Sequence, residues 1–275
     1  MKDTASDFQE PRVLSVLKRI MRLCRDDGEI FTVTDRLDEI QSLLSGSPYG
    51  LVNAGGLFRL FAKSPLKEIE GPVILVSTHV DCEAGISRCF CEDAGDDLIK
   101  GTLDNAATNA AIVFLMQEGA LPDNVLVAFT GDEERGSRGA SETVEYLRSI
   151  GLTVEMAVVL DVTYMGWDEG ADFTVENNFW QEVQGRCVIE KVKTLDAKWR
   201  FVPEDTDNIP TYVPKERVIA CEAEADESWE YDEIGVPCFS LCLPVRGEMH
   251  SDSGCVARRE SFAEYCAALS AILLK

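Results

Sequence analysis

Only two histidines occur in 275 residues, His79 in "STHVD" and His250 in "MHSDSG". His79 ends the apolar run "VILVST", with Asp81 two positions on. Two more apolar runs end in acid: "VLVAFTGDEE" at Glu133 and Glu134, and "MAVVLD" at Asp161. Asp104, in "GTLDNAAT", precedes an alanine-rich stretch. Carboxylates brought together repel one another and lose solvation unless a cation sits among them. Asp104, Glu134 and Asp161 with two imidazoles therefore make sense around divalent metal ions. Nitrogen and carboxylate donors without thiolates suit zinc, with manganese or cobalt as alternatives. Such ions acidify water and polarise a carbonyl. On an extended strand, His79 and Asp81 share a face. Asp81 then stands where it accepts the second imidazole N–H of His79 and fixes the ring. If the chain stays extended, Glu133 and Glu134 face opposite ways, one toward metal and one toward substrate.

These residues need a scaffold that gathers distant positions. Helices are expected over 8–25, from Thr34 to the stop at Gly46, over 105–119, within "GSRGASETVEYLRSIG", around "NNFWQEVQGRCVIEKV", and over "RRESFAEYCAALSAILLK". Strands are expected at "GLFRLFAK", "GPVILVSTHVD", "DNVLVAFTGDEE", "VEMAVVLDVT" and "VPCFSLCLP". The central strands are continuous apolar runs, so both faces of the sheet are covered. The fold class is α/β, a three-layer α-β-α arrangement around a central, mostly parallel (mixed) sheet. In such sheets ligands gather at the carboxyl ends of the strands, where His79, Glu133, Glu134 and Asp161 all lie. No repeat or break in composition divides the chain, so residues 1–275 are expected to form a single domain.

The formal net charge is −23. Nucleic acid is thereby excluded as a partner, because phosphate binding needs basic patches. No segment approaches the ~18–20 apolar residues of a membrane helix, so no membrane partner is expected. Residues 1–29 lack an apolar h-region with a small-residue cleavage site. The ten cysteines show no paired CxxC spacing. Most read as buried free thiols in a reducing, cytoplasmic setting. Cys82, Cys89 and Cys91 are the one group spaced closely enough to suggest a zinc knuckle.

The motifs "STHVD", "GTLDNAA", "TGDEERGSRGA", "VVLDVT" and "MHSDSG", in this order, strongly resemble the co-catalytic zinc exopeptidases of clan MH. That superfamily includes the zinc aminopeptidases, the glutamyl aminopeptidases and the aminoacylases. The resemblance spans residues 79–253, about two thirds of the chain. It implies that Asp104 bridges two metal ions. His79 and Asp161 would complete one site, and Glu134 and His250 the other. Glu133 would be the general base, Asp81 would orient His79, and the Asp104–Asn105 peptide would be cis. The activity implied is hydrolysis of N-terminal residues from short peptides by a water bridging the two metals.

The layout fits the compact zinc aminopeptidases best. Asp161 and His250 are too close in sequence for an inserted lid domain, and His79 and Asp104 too close for an inserted β domain. Further residues are candidates for substrate contact. Arg246 would bind a substrate carboxylate, and Asp226 or Glu227 an amino group. Tyr164 and Trp167 would border the pocket. The alternatives are an amidohydrolase acting on N-acyl amino acids, a one-metal cyclase, and a non-catalytic binding relative. A homo-oligomer is a further expectation, because without a lid a neighbouring subunit can limit access to the site.

Overall fold

The structure is a computed structural model that describes residues 6–22 and 35–274. Residues 23–25 of the first expected helix, the N-cap Thr34 and Cys24 lie outside the described residues. In chain order the elements begin with α1 (Ser6–Ile20), α2 (Asp35–Leu43), β1 (Gly50–Ala54), β2 (Phe58–Ala62) and β3 (Val73–His79). There follow β4 (Cys91–Gly95), β5 (Leu98–Gly101), α3 (Ala106–Gln117), β6 (Val125–Thr130), α4 (Glu133–Gly136) and α5 (Arg138–Ser149). Then come β7 (Val154–Thr163), β8 (Phe173–Phe179), α6 (Glu182–Lys193) and β9 (Trp199–Phe201). The last are α7 (Ser228–Glu233), β10 (Cys238–Glu248), β11 (Gly254–Arg258) and α8 (Ser261–Leu273).

The sheet is mixed and has eleven strands. Its centre is the parallel set β6, β3, β7 and β10, as the continuous apolar runs require. Every residue of β3 and of β6 is buried. Antiparallel strands flank this centre, β2 beside β6 and β8 beside β10. β10 is longer than its apolar run and serves two neighbourhoods. Cys238–Pro244 pair with β7 in the central sheet, while Val245–Glu248 pair with β11. β11 pairs with β5, and β5 with β4, giving a small antiparallel ribbon. No inserted β domain lies between His79 and Asp104; the short β4–β5 hairpin does.

α3 is buried from Ala106 to Met116. Its alanines have no bulk to hold the backbone away from the sheet, so it packs closely between the strands and helices α1 and α8. At its N-terminus a polar clamp joins three elements. Asn105 Nδ2 donates to the Leu160 carbonyl at 2.6 Å and to Thr78 Oγ1 at 3.2 Å. Asn109 Nδ2 donates to the His79 carbonyl at 2.9 Å. Thr78, Asn105, Thr108 and Asn109 are all buried, and their side chains find hydrogen-bond partners there.

Among the described residues all nine cysteines are free, and Cys82, Cys238, Cys242, Cys255 and Cys266 are buried, as the sequence suggests. No zinc knuckle forms: none of the metal-competent groups contains a cysteine. Cys82 and Cys89 instead accept from Nη2 of the buried Arg36 at 3.3 and 3.7 Å, while Arg36 Nη1 donates to the Val80 carbonyl.

Candidate metal centre

The carboxyl ends of β3, β6 and β7 bring His79, the Glu133–Glu134 pair and Asp161 to one rim, as the strand pattern predicts. The loop before α3 adds Asp104, and the turn after β10 adds His250. Asp104 Oδ1 lies 3.1 Å from His79 Nε2, and Asp104 Oδ2 lies 3.1 Å from His250 Nε2. Asp161 Oδ1 is 3.5 Å from His79 Nε2, and Glu134 Oε2 is 3.9 Å from His250 Nε2. The donors fall into overlapping groups whose ligand atoms lie within 4.8 Å of one another: His79, Asp104 and Asp161; Asp104, Glu134 and His250; and His79, Glu133 and Glu134.

These residues fit divalent ions. Asp104 Oδ1 and Glu134 Oε1 are buried with no hydrogen-bond partner. Asp104 Oδ1 is near His79 Nε2, but the pair is not aligned as a hydrogen bond. Buried oxygens that converge without a hydrogen-bond partner suit the coordination of a cation. On the other side of the ring, Asp81 Oδ1 is 3.6 Å from His79 Nδ1. Asp81 Oδ2 accepts the Glu134 amide N–H at 3.2 Å. Asp81 is thus bonded to the Glu134 turn and faces the His79 ring at ion-pair distance, without a hydrogen bond between the two. The Asp104–Asn105 peptide is cis.

Glu133 and Glu134 do not continue an extended strand. Asp132, at φ +67°, turns the chain, and both glutamates stand in the first turn of α4. Asp132 Oδ2 holds Arg138 Nε at 2.5 Å across this turn. Gly139 closes it from below: a Cβ there would stand 2.5 Å from the Leu57 carbonyl oxygen and 2.6 Å from that of Gly131. The carbonyls fit only against a residue without a side chain.

Crowded acids shape the local proton affinities. Burial pushes the Glu133 carboxyl up to about 9, with Asp161, Glu227 and Glu134 adding to it and His79 opposing. Burial also pushes Glu134 up to about 9, reinforced by Asp104 and Asp81. Asp161 rises to about 6 through burial, against the pull of His79. Burial favours the neutral His79 ring, yet the surrounding Glu133, Asp104, Asp161 and Asp81 together hold its pKa well above the usual range. Burial would raise Asp104, but the two imidazoles beside it, His250 and His79, outweigh that and hold it low. His250 is raised chiefly by Asp104.

The centre opens into a pocket of about 330 Å³. Beyond the residues already named, its lining adds Glu83, Glu176, Glu224 and Asp226, together with Val162, Thr163, Cys242 and Met249. Asp226 accepts the Ser228 amide at 2.8 Å, so it caps the start of α7 while facing the pocket. Glu227 does not line the pocket. Its Oε2 accepts the Ser77 hydroxyl at 2.8 Å, and Ser77 in turn accepts the Tyr231 hydroxyl at 2.8 Å, so Glu227 is buried beneath the Glu133 side of the site.

The other three candidates for substrate contact are not part of the pocket lining. Arg246 is exposed on β10 and absent from the pocket lining, because the strand has by then turned toward β11. Trp167 packs under the Arg258 guanidinium, 4.0 Å from its ring centroid. Tyr164 is 41% exposed, and its hydroxyl accepts the Met249 amide at 3.2 Å, steadying the segment that carries His250. Glu176 is absent from the sequence expectations. Its signal is a glutamate inside the apolar strand "FTVENNF".

No protein-family model and no curated protein matches the sequence. The structure does have close neighbours among solved structures. The LapA aminopeptidase of Legionella pneumophila superposes with a TM-score of 0.65 at 13% identity, over 97% of this chain and 70% of that one. The TET1 peptidase of Pyrococcus horikoshii, which can assemble into a tetrahedron or a large octahedral shell, gives 0.66 at 10% identity, over 96% and 99%. The aminopeptidase APDkam598 of Desulfurococcus kamchatkensis gives 0.67 at 10% identity, over 97% and 94%. The chain therefore has the mixed-sheet α/β fold of these peptidases.

Proposed function

We propose that this protein is a metal-dependent exopeptidase, most simply an aminopeptidase that removes N-terminal residues from short peptides. The observation that carries this reading is the Asp104 carboxylate, which turns one oxygen to each of the chain's two histidines. Asp104 would bridge two divalent ions, zinc by its donor set, with His79 and Asp161 on one side and Glu134 and His250 on the other. When bound, the ions would supply an acidified water and a polarised amide carbonyl. Glu133 lines the same pocket without belonging to either of those two ligand sets. Its place beside both ligand sets suits a base that takes a proton from water and passes it to the leaving amine, with the bound cations lowering the proton affinity that burial raises. Asp81 would orient the His79 ring while bonded to the Glu134 turn.

The pocket lining favours a free amine over a carboxylate as the recognised group. Among the described residues no lysine or arginine lines it, and Arg246 is not part of the lining. That speaks for an aminopeptidase over a deacylase of N-acyl amino acids. A homo-oligomer belongs to the same proposal, by analogy with the TET1 peptidase, and sedimentation or scattering reads it directly. The deciding experiment is elemental analysis of wild type and Glu133→Gln, with both assayed on aminoacyl anilides. Two metals in each, with turnover only in wild type, support the reading. A wild type that neither holds metal nor turns over after addition of zinc, manganese or cobalt would refute it.

A further inference from the structure

Glu176 has no place in the chemistry above. It belongs to none of the metal-competent groups, yet it lines the pocket and is only 2% exposed. It sits on β8, separated from the Asp161 strand by β10. Cys242 of β10 is register-paired with Asp161 on one side and Thr174 on the other. Two strand intervals place Thr174 and Glu176 about 10 Å from the ligand strand. Oε1 of Glu176 accepts the Thr174 hydroxyl at 2.5 Å. The Thr163 hydroxyl and the carboxylates of Asp226 and Asp161 also act on it, and among the described residues no cationic side chain pairs with it. The loop that roofs this end is fastened to the same strand, because Asn177 Nδ2 donates to the Glu224 carbonyl at 2.9 Å.

A carboxyl placed in a protein interior stays neutral or meets a cation. Glu176 has none of its own, and burial pushes it up to about 8. It faces a cavity in which Asp226 and the Glu224 segment stand close by, and whose lining sets the apolar Val162, Cys242 and Met249 among carboxylates that include Glu83. An acid-rich cavity with a few apolar walls, ending on a buried acid, matches a long methylene stem ending in a positive charge. A neutral side chain would leave the acid dry and unmatched. A negative one would add to the repulsion.

We infer that Glu176 is the specificity determinant of this pocket and selects substrates whose first residue is lysine or arginine. The inference rests on the aminopeptidase reading. The geometry supplies the length: an amide held at the rim of β3, β6 and β7 leaves a long side chain to cross β10 toward β8. Asp226, which lies between, remains available for the substrate's α-ammonium group.

The test is a panel of lysyl, arginyl, leucyl, methionyl, alanyl and glutamyl anilides on the metal-loaded protein. The expected result is a kcat/KM for the lysyl and arginyl anilides at least tenfold above the leucyl and methionyl ones, with the glutamyl anilide poorest. Equal or better turnover of the leucyl or methionyl anilide overturns the inference and leaves the aminopeptidase reading standing. No turnover of any anilide overturns both. In Glu176→Gln the ratio of lysyl to leucyl kcat/KM should fall at least tenfold, chiefly through KM for the lysyl substrate. An equal loss on both substrates means a merely structural role and overturns it. A binding measurement needs no variant: calorimetry on wild type should show L-lysinamide bound at least tenfold more tightly than L-leucinamide, and the reverse order overturns the inference.

Discussion

Asp104 Oδ2 meets Nε2 of His250 at 3.1 Å, although 146 positions separate the two residues in the chain. The loop before α3 and the turn after β10 are thus joined at one atom pair, while the other Asp104 oxygen faces His79. Replacing Asp104 by Asn should lower metal content from two ions per chain to one or none and abolish turnover. Elemental analysis, with circular dichroism to show that the fold is kept, checks this. Two ions retained in Asp104→Asn would sink the bridging role.

Glu133→Gln separates metal binding from proton transfer. The amide keeps the shape of the side chain but cannot take a proton from water. Metal content should match wild type, while kcat falls about 10³-fold, within the usual worth of a general base. If kcat stays within tenfold of wild type, the base is another group.

Asn105→Ala tests the clamp that holds β3, β7 and α3 together. It leaves the Leu160 carbonyl without its side-chain donor in a buried place. The expected loss is about 1–3 kcal/mol, read from urea unfolding. Asp104 is the preceding residue, so metal affinity should fall as well. A variant as stable as wild type would show that the clamp contributes nothing.

Gly139→Ala should be costly for an exchange so small. Its Cβ would press on two carbonyl oxygens, those of Leu57 and Gly131. Overpacking of this kind costs about 1–3 kcal/mol. Relief by backbone movement would shift the turn that carries Glu133 and Glu134. Thermal unfolding and kcat should both fall; an unchanged melting temperature would mean that the turn yields freely.

Glu176 gives the metal-free protein a pH dependence whose sign follows from its burial. Its carboxyl is raised from the ordinary 4.5 to about 8. Between those values the folded chain keeps a proton that the unfolded chain has lost, so stability declines as pH rises from 4.5 to 8. Glu176→Gln lacks this share of the decline, while Glu133 and Glu134 keep theirs in both proteins. In EDTA its melting temperature should gain on wild type from pH 5 to pH 8, by roughly 5 °C or more. Parallel curves over that interval would contradict it.

How far the sequence was legible divides along physical lines. The central strands announced themselves because burial on both faces leaves only apolar residues, and β7 falls on the expected "VEMAVVLDVT" without a shift. His79, Asp104, Glu133, Glu134, Asp161 and His250 were legible because their residue types are rare or costly at strand ends. β4 and β5 escaped notice, since exposed ribbon strands such as "CEDAG" lack apolar patterning. β8 and β9 were hidden in a stretch that reads equally as helix or loop. Tyr164 and Trp167 were placed near the pocket by adjacency to Asp161 alone, but Gly166, at φ +77°, lies between them in a turn that sends the two rings to different neighbours. The Glu133–Glu134 pair reached the site by a turn rather than by strand alternation, a difference that depends on Asp132 adopting a left-handed conformation.

β10 divides its length between two partners, and this has a bearing on how such a protein can diversify. The segment that holds β7 in register ends at Pro244, and the segment that carries the ribbon begins at Val245. The β4–β5 hairpin hangs at the outer end of that ribbon, two strands removed from β10. Lineages can therefore lengthen, shorten or replace the hairpin while the strands that carry the candidate ligands keep their register. The fold has a growth point beside a fixed centre, and variation is expected to accumulate at the first and not at the second.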